Sequence, residues 1–502
     1  MNGRLKKSLL LAVAAVLLVG VSQIQKALNH DRKELGLTRV EPLENAPPVL
    51  AFTTVALGGF RGLIANALWI RASDLQDEDK FFEMAQLADW ITKLEPHYVQ
   101  VWLVQGWNMA YNISVKFKDF NDRWRWVQRG ISLLRDDGLR FNPNETLMYR
   151  ELAWFFQHKM GQNLDDANVT YKQEWLKEMN VVLGTNDVQF AELLNPQTDE
   201  ARARYQLLTN KYKLDPHFMK KLDEEYGPLE WRLPEAHAIY WAAVGLEKAK
   251  ENSAKIKPDD LIQLRRVIYQ SMQLSFQRGR LIWDPIVKGF DTGPNLDIIP
   301  KVSAAYEQAM EEDAPSRDHI ERAHRNFLRD AVYFLYENDR TADALKWYRY
   351  IGEKYPNKSM IDGKPDSLPK NVTMDEYCIS RICEDVSETS RDRVKAAIEG
   401  QLVKGYLALV RGENRRSVGY RALARILWKK YMDAIAGGAN DKRIGLPTVE
   451  ETERQILDML LDPERGSSPE FRAALRGALR MAPEPPRPTP GTNAPPTSAS
   501  IK

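Results

Sequence analysis

The side chains that most often carry out chemistry in proteins are few and scattered in this sequence. Only seven of its 502 residues are His and two are Cys. His319 and His324 lie five apart, a spacing that does not put both rings on one helical face as a metal-binding helix requires. Cys378 and Cys383 have the same spacing and would also point apart. We interpret them as buried free thiols, with a disulfide as the alternative in an exported chain.

Motifs for cofactor binding and nucleophilic catalysis are missing from the sequence. There is no P-loop, no glycine-rich dinucleotide fingerprint and no Gly-x-Ser-x-Gly. The acidic clusters at residues 77–79 and at Asp165 and Asp166 have no partner that would make a catalytic acid–base pair, and we interpret them as solvated helix ends. The sequence therefore predicts no catalytic residue, no cofactor, no metal ion and no small-molecule substrate. We expect a protein that is not an enzyme.

A basic segment is the first feature that could bind a partner. Residues 391–430 contain eleven Lys or Arg and three Asp or Glu, although the whole chain carries a formal charge of only +2. Arg421, Arg425 and Lys429 are four apart and form a stripe on one helical face. The simplest interpretation is a solvated face. An acidic protein partner or anionic lipid head groups are the alternatives, and export from the cytoplasm disfavours nucleic acid.

A pair of tryptophans is the second such feature. Trp124 and Trp126 stand among Arg123, Arg125 and Arg129. Residues two apart on a helix diverge, so one Trp should pack inside while the other covers an edge. Core packing is the simpler interpretation. A partner-binding hot spot that includes Trp124 and Arg125 is the alternative, because such spots favour Trp and Arg.

The elements that would position these residues are helical. From residue 76 to residue 480, apolar residues recur mostly at spacings of three and four, and prolines punctuate the pattern. No convincing alternating strands are present. The sequence therefore predicts an all-α fold.

Part of this region resembles the tetratricopeptide repeat (TPR) family of paired helices. The clearest unit spans residues 326–356, and a second, split match lies near residue 100. The resemblance depends on small residues, aromatic residues and a terminal proline that stand at the family's spacing. These residues are Trp102, Gly106, Ala344, Tyr348 and Pro356. The resemblance implies a TPR-like α-solenoid of antiparallel helix pairs, in which small residues let two backbones approach and aromatic rings fill the gaps.

The N-terminus reads as an export signal. Arg4, Lys6 and Lys7 precede an apolar run at residues 9–21. We predict a single-pass anchor in a bacterial inner membrane, with the bulk of the chain facing the periplasm. Cleavage after the run would instead leave a periplasmic or secreted protein.

A second apolar stretch, residues 47–71, carries charge only at Arg61 and Arg71. It predicts a helix over residues 62–76 that packs its Leu63, Ala67 and Ile70 face on the next helix. A helix lying on the membrane surface is the alternative.

The segment order follows from these patterns and from the proline-rich end. Residues 361–373 hold two prolines and a glycine and are interpreted as a linker, and seven prolines after residue 481 predict a disordered tail. The predicted segments are 1–30 (signal anchor), 31–75 (linker and amphipathic helix), 76–360 (TPR-like repeats), 361–373 (linker), 374–480 (C-terminal helical module) and 481–502 (disordered Pro-rich tail).

Three functions fit this sequence. The leading hypothesis is a membrane-anchored TPR-like scaffold that mediates protein–protein interaction or complex assembly in a bacterial cell envelope. An accessory subunit of a larger membrane complex is the first alternative, and a helical-toroid carbohydrate-active enzyme is the second. A deep cleft with two carboxylates roughly 5–10 Å apart would favour the enzyme. A shallow groove lined by Tyr, Asn and Arg would favour the scaffold.

Overall fold

The computed structural model describes residues 60–186, 188–251, 258–284, 289–384, 391–435, 446–463 and 467–483, together with part of 13–31. The described chain is mostly helical, so the predicted all-α class is confirmed. Most of the predicted anchor, the linker up to residue 59 and the tail from residue 484 lie outside the described residues. Within the described part of the chain, no helix is long and apolar enough to cross a membrane.

The chain divides into two compact units. The first comprises Met1–Lys116 and Trp126–Pro143, and the second comprises Phe117–Arg125 and Asn144–Lys502. The α-helices up to residue 143 are α1 (Phe60–Asp77), α2 (Phe81–Leu94), α3 (Val99–Trp107), α4 (Phe120–Ser132) and α5 (Leu139–Phe141). Helix α4 contributes residues to both units. Two π-helical segments, Asn108–Ile113 and Leu133–Gly138, and the 3-10 turn Ser114–Lys116 complete this part of the chain.

The remaining elements belong to the second unit. Its α-helices are α6 (Thr146–Trp154), α7 (Asn168–Leu183), α8 (Phe190–Leu194), α9 (Asp199–Asn210), α10 (Pro216–Tyr226), α11 (Pro234–Glu251), α12 (Pro258–Arg278), α13 (Ile299–Glu312), α14 (Arg317–Glu337), α15 (Thr341–Lys354), α16 (Met374–Glu384), α17 (Arg391–Val410), α18 (Asn414–Ile435), α19 (Val449–Leu461) and α20 (Pro469–Ala478). The π-helical segment Phe155–Met160 follows α6, and 3-10 turns occur at Leu296–Ile298 and Ala314–Ser316.

Side-chain caps explain where several helices begin. The Thr198 hydroxyl accepts the N–H of Ala201 at 3.1 Å, so α9 starts directly after Thr198. At α19, Thr448 and Glu451 form a reciprocal capping box. These caps satisfy backbone donors that the first helical turn leaves without partners.

A two-stranded hairpin interrupts the helical pattern and was not predicted. Strands β1 (Arg280–Asp284) and β2 (Gly289–Gly293) pair antiparallel, with Arg280 opposite Gly293. An apolar run of a few residues cannot be distinguished from a helical segment by periodicity alone, which explains why the hairpin was missed.

The segment predicted as a linker, residues 361–373, is irregular but packed within the second unit. Arg329 on α14 donates two hydrogen bonds to the Asp362 carboxylate, at 3.0 and 3.1 Å. The Tyr348 hydroxyl on α15 donates to the carbonyl of Pro369 at 3.4 Å. The prolines therefore end the helical winding without separating this segment from the helices before it.

Helix α1 occupies the predicted position, but the face predicted to pack was wrong. Leu63, Ala67 and Ile70 are exposed, whereas Ala65 joins a buried cluster with Ile91 and others on neighbouring helices. Because α1 carries apolar residues on both faces, its periodicity could not show which one the fold buries.

Candidate functional site

A groove in the second unit combines an apolar with a polar lining. Four helices, α10, α11, α12 and α13, enclose about 340 Å³, at the small end of the range typical for binding pockets. Its lining includes Phe218, Lys221, Leu222, Glu225, Tyr226, Ala243, Leu246, Glu247, Lys250, Arg265, Ile268, Tyr269, Ala305, Ala309 and Glu312.

The floor of the groove is apolar. Leu222, Ala243, Ile268 and Ala309 are buried there, and Phe218 is half-buried at one side. Small residues on α11 and α13 leave space that larger side chains would fill. The floor can therefore accept apolar side chains from outside the chain without repacking the core.

Charged residues surround this floor and neutralise one another. Glu247 pairs with Lys221 at 3.1 Å and with Lys250 at 3.2 Å, and Arg265 pairs with Glu312 at 2.9 Å. The hydrogen bond from Lys221 is the main cause that holds the pKa of Glu247 below its usual range. A carboxylate kept ionised in this way is a poor proton donor. Glu247 is therefore a poor candidate for a general acid.

Two tyrosines add polar groups to the lining. Burial raises the pKa of the Tyr226 hydroxyl, and its hydrogen bond to Glu225 raises it further. Burial likewise raises the pKa of Tyr269. Both hydroxyls remain protonated at neutral pH and can donate or accept hydrogen bonds. An apolar floor inside a polar rim is the usual anatomy of a protein-binding surface.

Trp124 and Arg125, the predicted partner-binding pair, differ in environment. Trp124 is only 6% exposed, and its ring lies 6.2 Å from that of Tyr171 and 6.4 Å from that of Trp175. This is the core-packing arrangement. Arg125 is exposed and pairs with Asp122 on its own helix at 2.8 Å.

The basic stripe on α18 meets acids of the same chain. Arg421 pairs with Glu453 at 3.1 Å, and Arg425 lies 3.8 Å from Glu450, both on α19. Lys429 is exposed. Acids on α19 of the same chain therefore pair with two of the three residues of the stripe.

Trp102 and Gly106, predicted to pack repeats, lie in the first unit. The Trp102 indole is buried, and its N–H donates to the Pro96 carbonyl at 2.8 Å. A Cβ added to Gly106 would lie 3.0 Å from the Cγ of Leu134. At this position a small residue permits the close approach of a neighbouring element.

The other predicted packing residues surround α15. Ala344 and Tyr348 are buried on this helix, and the Tyr348 hydroxyl also donates to the Val372 carbonyl. Pro356 follows the end of α15 and is exposed. Its position agrees with a residue that prevents further helical winding.

The interpretation of Asp165 as a solvated helix end was wrong. Its carboxylate accepts from Lys159 at 2.5 Å, from Tyr171 at 3.2 Å and from Arg123 at 3.4 Å, and Lys159 is 4% exposed. Burial alone would raise the pKa of Asp165, but the hydrogen bond and charge of Lys159 hold it below its ordinary value. Sequence reasoning missed this cluster because Arg123 lies 42 residues before Asp165.

His324 is a core histidine. Its ring is fully buried between the Ser303 hydroxyl, 2.9 Å from Nε2, and the Tyr355 hydroxyl, 2.8 Å from Nδ1. Burial lowers the pKa of His324 to about 4. The hydroxyl–imidazole–hydroxyl chain links α13, α14 and the residue after α15, and its full burial makes it a structural contact rather than a nucleophile.

The two cysteines add no functional site among the described residues. Cys378 is a free, buried thiol, and the side chain of Cys383 lies outside the described residues. In the part of the chain that the structure describes, no three His, Cys, Asp or Glu side chains are placed to hold a metal ion. No family model matches the chain, and comparisons with curated proteins and with solved structures found no similar protein.

Proposed function

We propose that this protein is a membrane-anchored, TPR-like helical scaffold that binds an apolar segment of a protein partner in the groove of α10–α13. The observation that carries the proposal is the apolar floor surrounded by paired charges. The anchor is the cation-led apolar run at residues 9–21.

The charge balance of the groove selects the class of partner. Lys221, Lys250 and Arg265 oppose Glu225, Glu247 and Glu312, so the rim attracts neither polyanions nor polycations. An amphipathic helix fits both the apolar floor and the balanced rim. Its apolar side chains fill the floor, and its polar face remains in water. The paired carboxylates also favour binding over the carbohydrate-active enzyme.

Site-specific photo-crosslinking in native membranes tests this function. A benzophenone amino acid replaces Leu246 in the groove, and the matched control replaces Val181, an apolar residue on α7 that is 65% exposed. We expect a discrete protein adduct at position 246 and none of the same size at position 181.

The segment identified in that adduct is then synthesised and titrated into the full-length protein. We expect the substitution Ala305→Trp, which fills the groove, to weaken binding at least about tenfold, equivalent to about 1.4 kcal/mol. An unchanged melting temperature establishes that the variant is folded. Equal adducts at both positions, or an affinity that Ala305→Trp leaves unchanged, would overturn the proposal.

A further inference from the structure

Helix α1 has two apolar faces, and neighbouring residues of the described chain bury only one of them. The inner face contributes Ala65, which is 4% exposed and packs with Ala88, Ile91 and Val101. We call the opposite side the outer face of α1 and define it by Leu63, Ile64, Ala67 and Ile70. Leu63 is 64% exposed and Ile70 is 65% exposed.

The outer face is a continuous row. At 100° per residue, Leu63, Ala67 and Ile70 fall within an arc of about 60° and extend about 10 Å along the helix axis. Ile64 lies about 60° outside this arc. Scattered exposed apolar residues are normal on protein surfaces, but an aligned apolar row marks a contact surface. The charged residues Arg71 and Asp74 on this side of the helix follow the row in the sequence.

The chain before the helix indicates what covers this face. Residues 46–60 contain no charged side chain and lead directly into α1. Only 29 residues, 31–59, separate α1 from residue 30 at the end of the predicted anchor segment, a length that reaches at most about 100 Å. If the anchor is inserted, this tether keeps α1 within about 100 Å of the membrane, so the outer face can reach the lipid surface.

An exposed aromatic residue near α1 fits the same environment. Tyr98 is 40% exposed, and its ring lies 6.0 Å from that of Trp69, which packs against the inner cluster of α1. Trp and Tyr concentrate at the boundary between hydrocarbon and head groups, where one part of the ring is apolar and another is polar. Arg71 follows the apolar row and can extend its guanidinium to the head groups.

We propose that the outer face of α1 lies in the interfacial layer of a lipid bilayer, with the helix axis in the membrane plane. The inference depends on the proposed function in one respect, because the N-terminal anchor brings α1 to the membrane. A protein surface fits this face less well than it fits the groove, since no ring of paired charges surrounds the apolar row among the described residues.

Depth-dependent fluorescence quenching tests the inference on the full-length protein. An environment-sensitive label is attached to the cysteine introduced by Ile70→Cys. The same protein carries Cys383→Ser and keeps the buried Cys378. The matched control is Val181→Cys, because Val181 and Ile70 are both 65% exposed. Each protein is reconstituted into phosphatidylcholine–phosphatidylglycerol vesicles that contain doxyl-labelled phospholipid.

We expect lipid quenching and a blue-shifted emission for the label at position 70, and neither for the label at position 181. The double substitution Leu63→Asn and Ile70→Asn should reduce the quenching of a label at Ala67→Cys while leaving the melting temperature unchanged. Equal lipid quenching at positions 70 and 181, or quenching at position 70 only by aqueous iodide, would overturn the inference. A label at position 70 protected from both quenchers and cross-linked to a second copy would also overturn it.

Flotation of the same vesicles separates this inference from the proposed function. Protein that floats without lipid quenching at position 70 retains its anchor, so the inference alone fails. Protein that does not float contradicts both the anchor and the membrane contact of α1. The groove is tested independently, by the adduct at position 246.

Discussion

The outer face of α1 and the groove of α10–α13 are both apolar and accessible, but they differ in the charges around them. The groove is surrounded by ion pairs such as Arg265–Glu312, whereas the apolar row from Leu63 to Ile70 has no charged residue within it. A polar ring orients a protein segment, because its hydrogen-bonding groups must be matched. A row without such a ring fits a fluid apolar medium, which imposes no such match.

The largest expected effect distinguishes the two faces of α1. Ala65→Asp places a carboxylate in the cluster with Ile91 and should destabilise the protein by about 3–5 kcal/mol, since the charge would be buried without a partner. Ala67→Asp, on the outer face, should change the free energy of unfolding by less than about 0.5 kcal/mol. Urea unfolding of both variants measures the difference, and equal losses would show that the outer face is also buried.

A pH-dependent loss of stability, almost as large as that expected for Ala65→Asp, should come from His324, which contacts α13 of the groove. Its folded-state pKa of about 4 lies below the ordinary value of about 6.5, so the unfolded chain takes up the proton first as the pH falls. The stabilisation is complete above pH 6.5 and should decrease by about 3 kcal/mol as the pH approaches 4.

Comparison with His324→Gln isolates this contribution. The variant lacks the titrating imidazole, so the stability difference between wild type and variant should narrow from pH 6.5 to pH 4. Urea unfolding at several pH values measures it. A difference that stays constant across this interval would contradict a buried neutral histidine.

A smaller effect is expected from tight packing of α11, one wall of the groove. A Cβ on Gly245 would lie 2.8 Å from the Cβ of Tyr149, whereas a Cβ on Gly400 meets nothing within 4 Å. Gly245→Ala should therefore destabilise by about 1–3 kcal/mol through overpacking. Gly400→Ala should be neutral or stabilise by up to about 1 kcal/mol, because Ala favours the helix. Thermal unfolding of both variants is the measurement, and a stabilising Gly245→Ala would contradict this packing.

The smallest effect on stability is expected at the groove rim. Glu247→Gln removes pairs with Lys221 and Lys250 that are largely exposed, so the free energy of unfolding should fall by less than about 1 kcal/mol. It leaves the rim with a net positive charge. Binding of the crosslinked partner segment should then become more dependent on salt than in wild type. An unchanged salt dependence would show that the charge balance of the rim does not contribute to binding.

Local patterns in the sequence predicted the helices well. The pattern at residues 62–76 corresponds to α1, and the repeat-like residues Ala344 and Tyr348 lie buried on α15. Helical periodicity reflects hydrogen bonds between residues four apart, so a short window contains the information. The hairpin β1–β2 escaped because its strands are too short for such a window.

The sites depended on residues that the sequence does not place together. Asp165 meets Arg123 from 42 residues away, and Arg421 meets Glu453 on another helix. The groove is lined by residues from four helices. Within each helix these residues follow the ordinary helical spacing, so no single helix indicates the groove.

The sequence by itself determined that this chain forms many helices, where most of them lie and that recognised catalytic motifs are missing. The tertiary structure decided which face of α1 is buried, which acids pair with Arg421 and Arg425 of α18 and where small residues leave a groove. The physical reason is the range of the interactions. Helix formation depends on neighbours along the chain, whereas burial and charge pairing depend on which surfaces meet after folding.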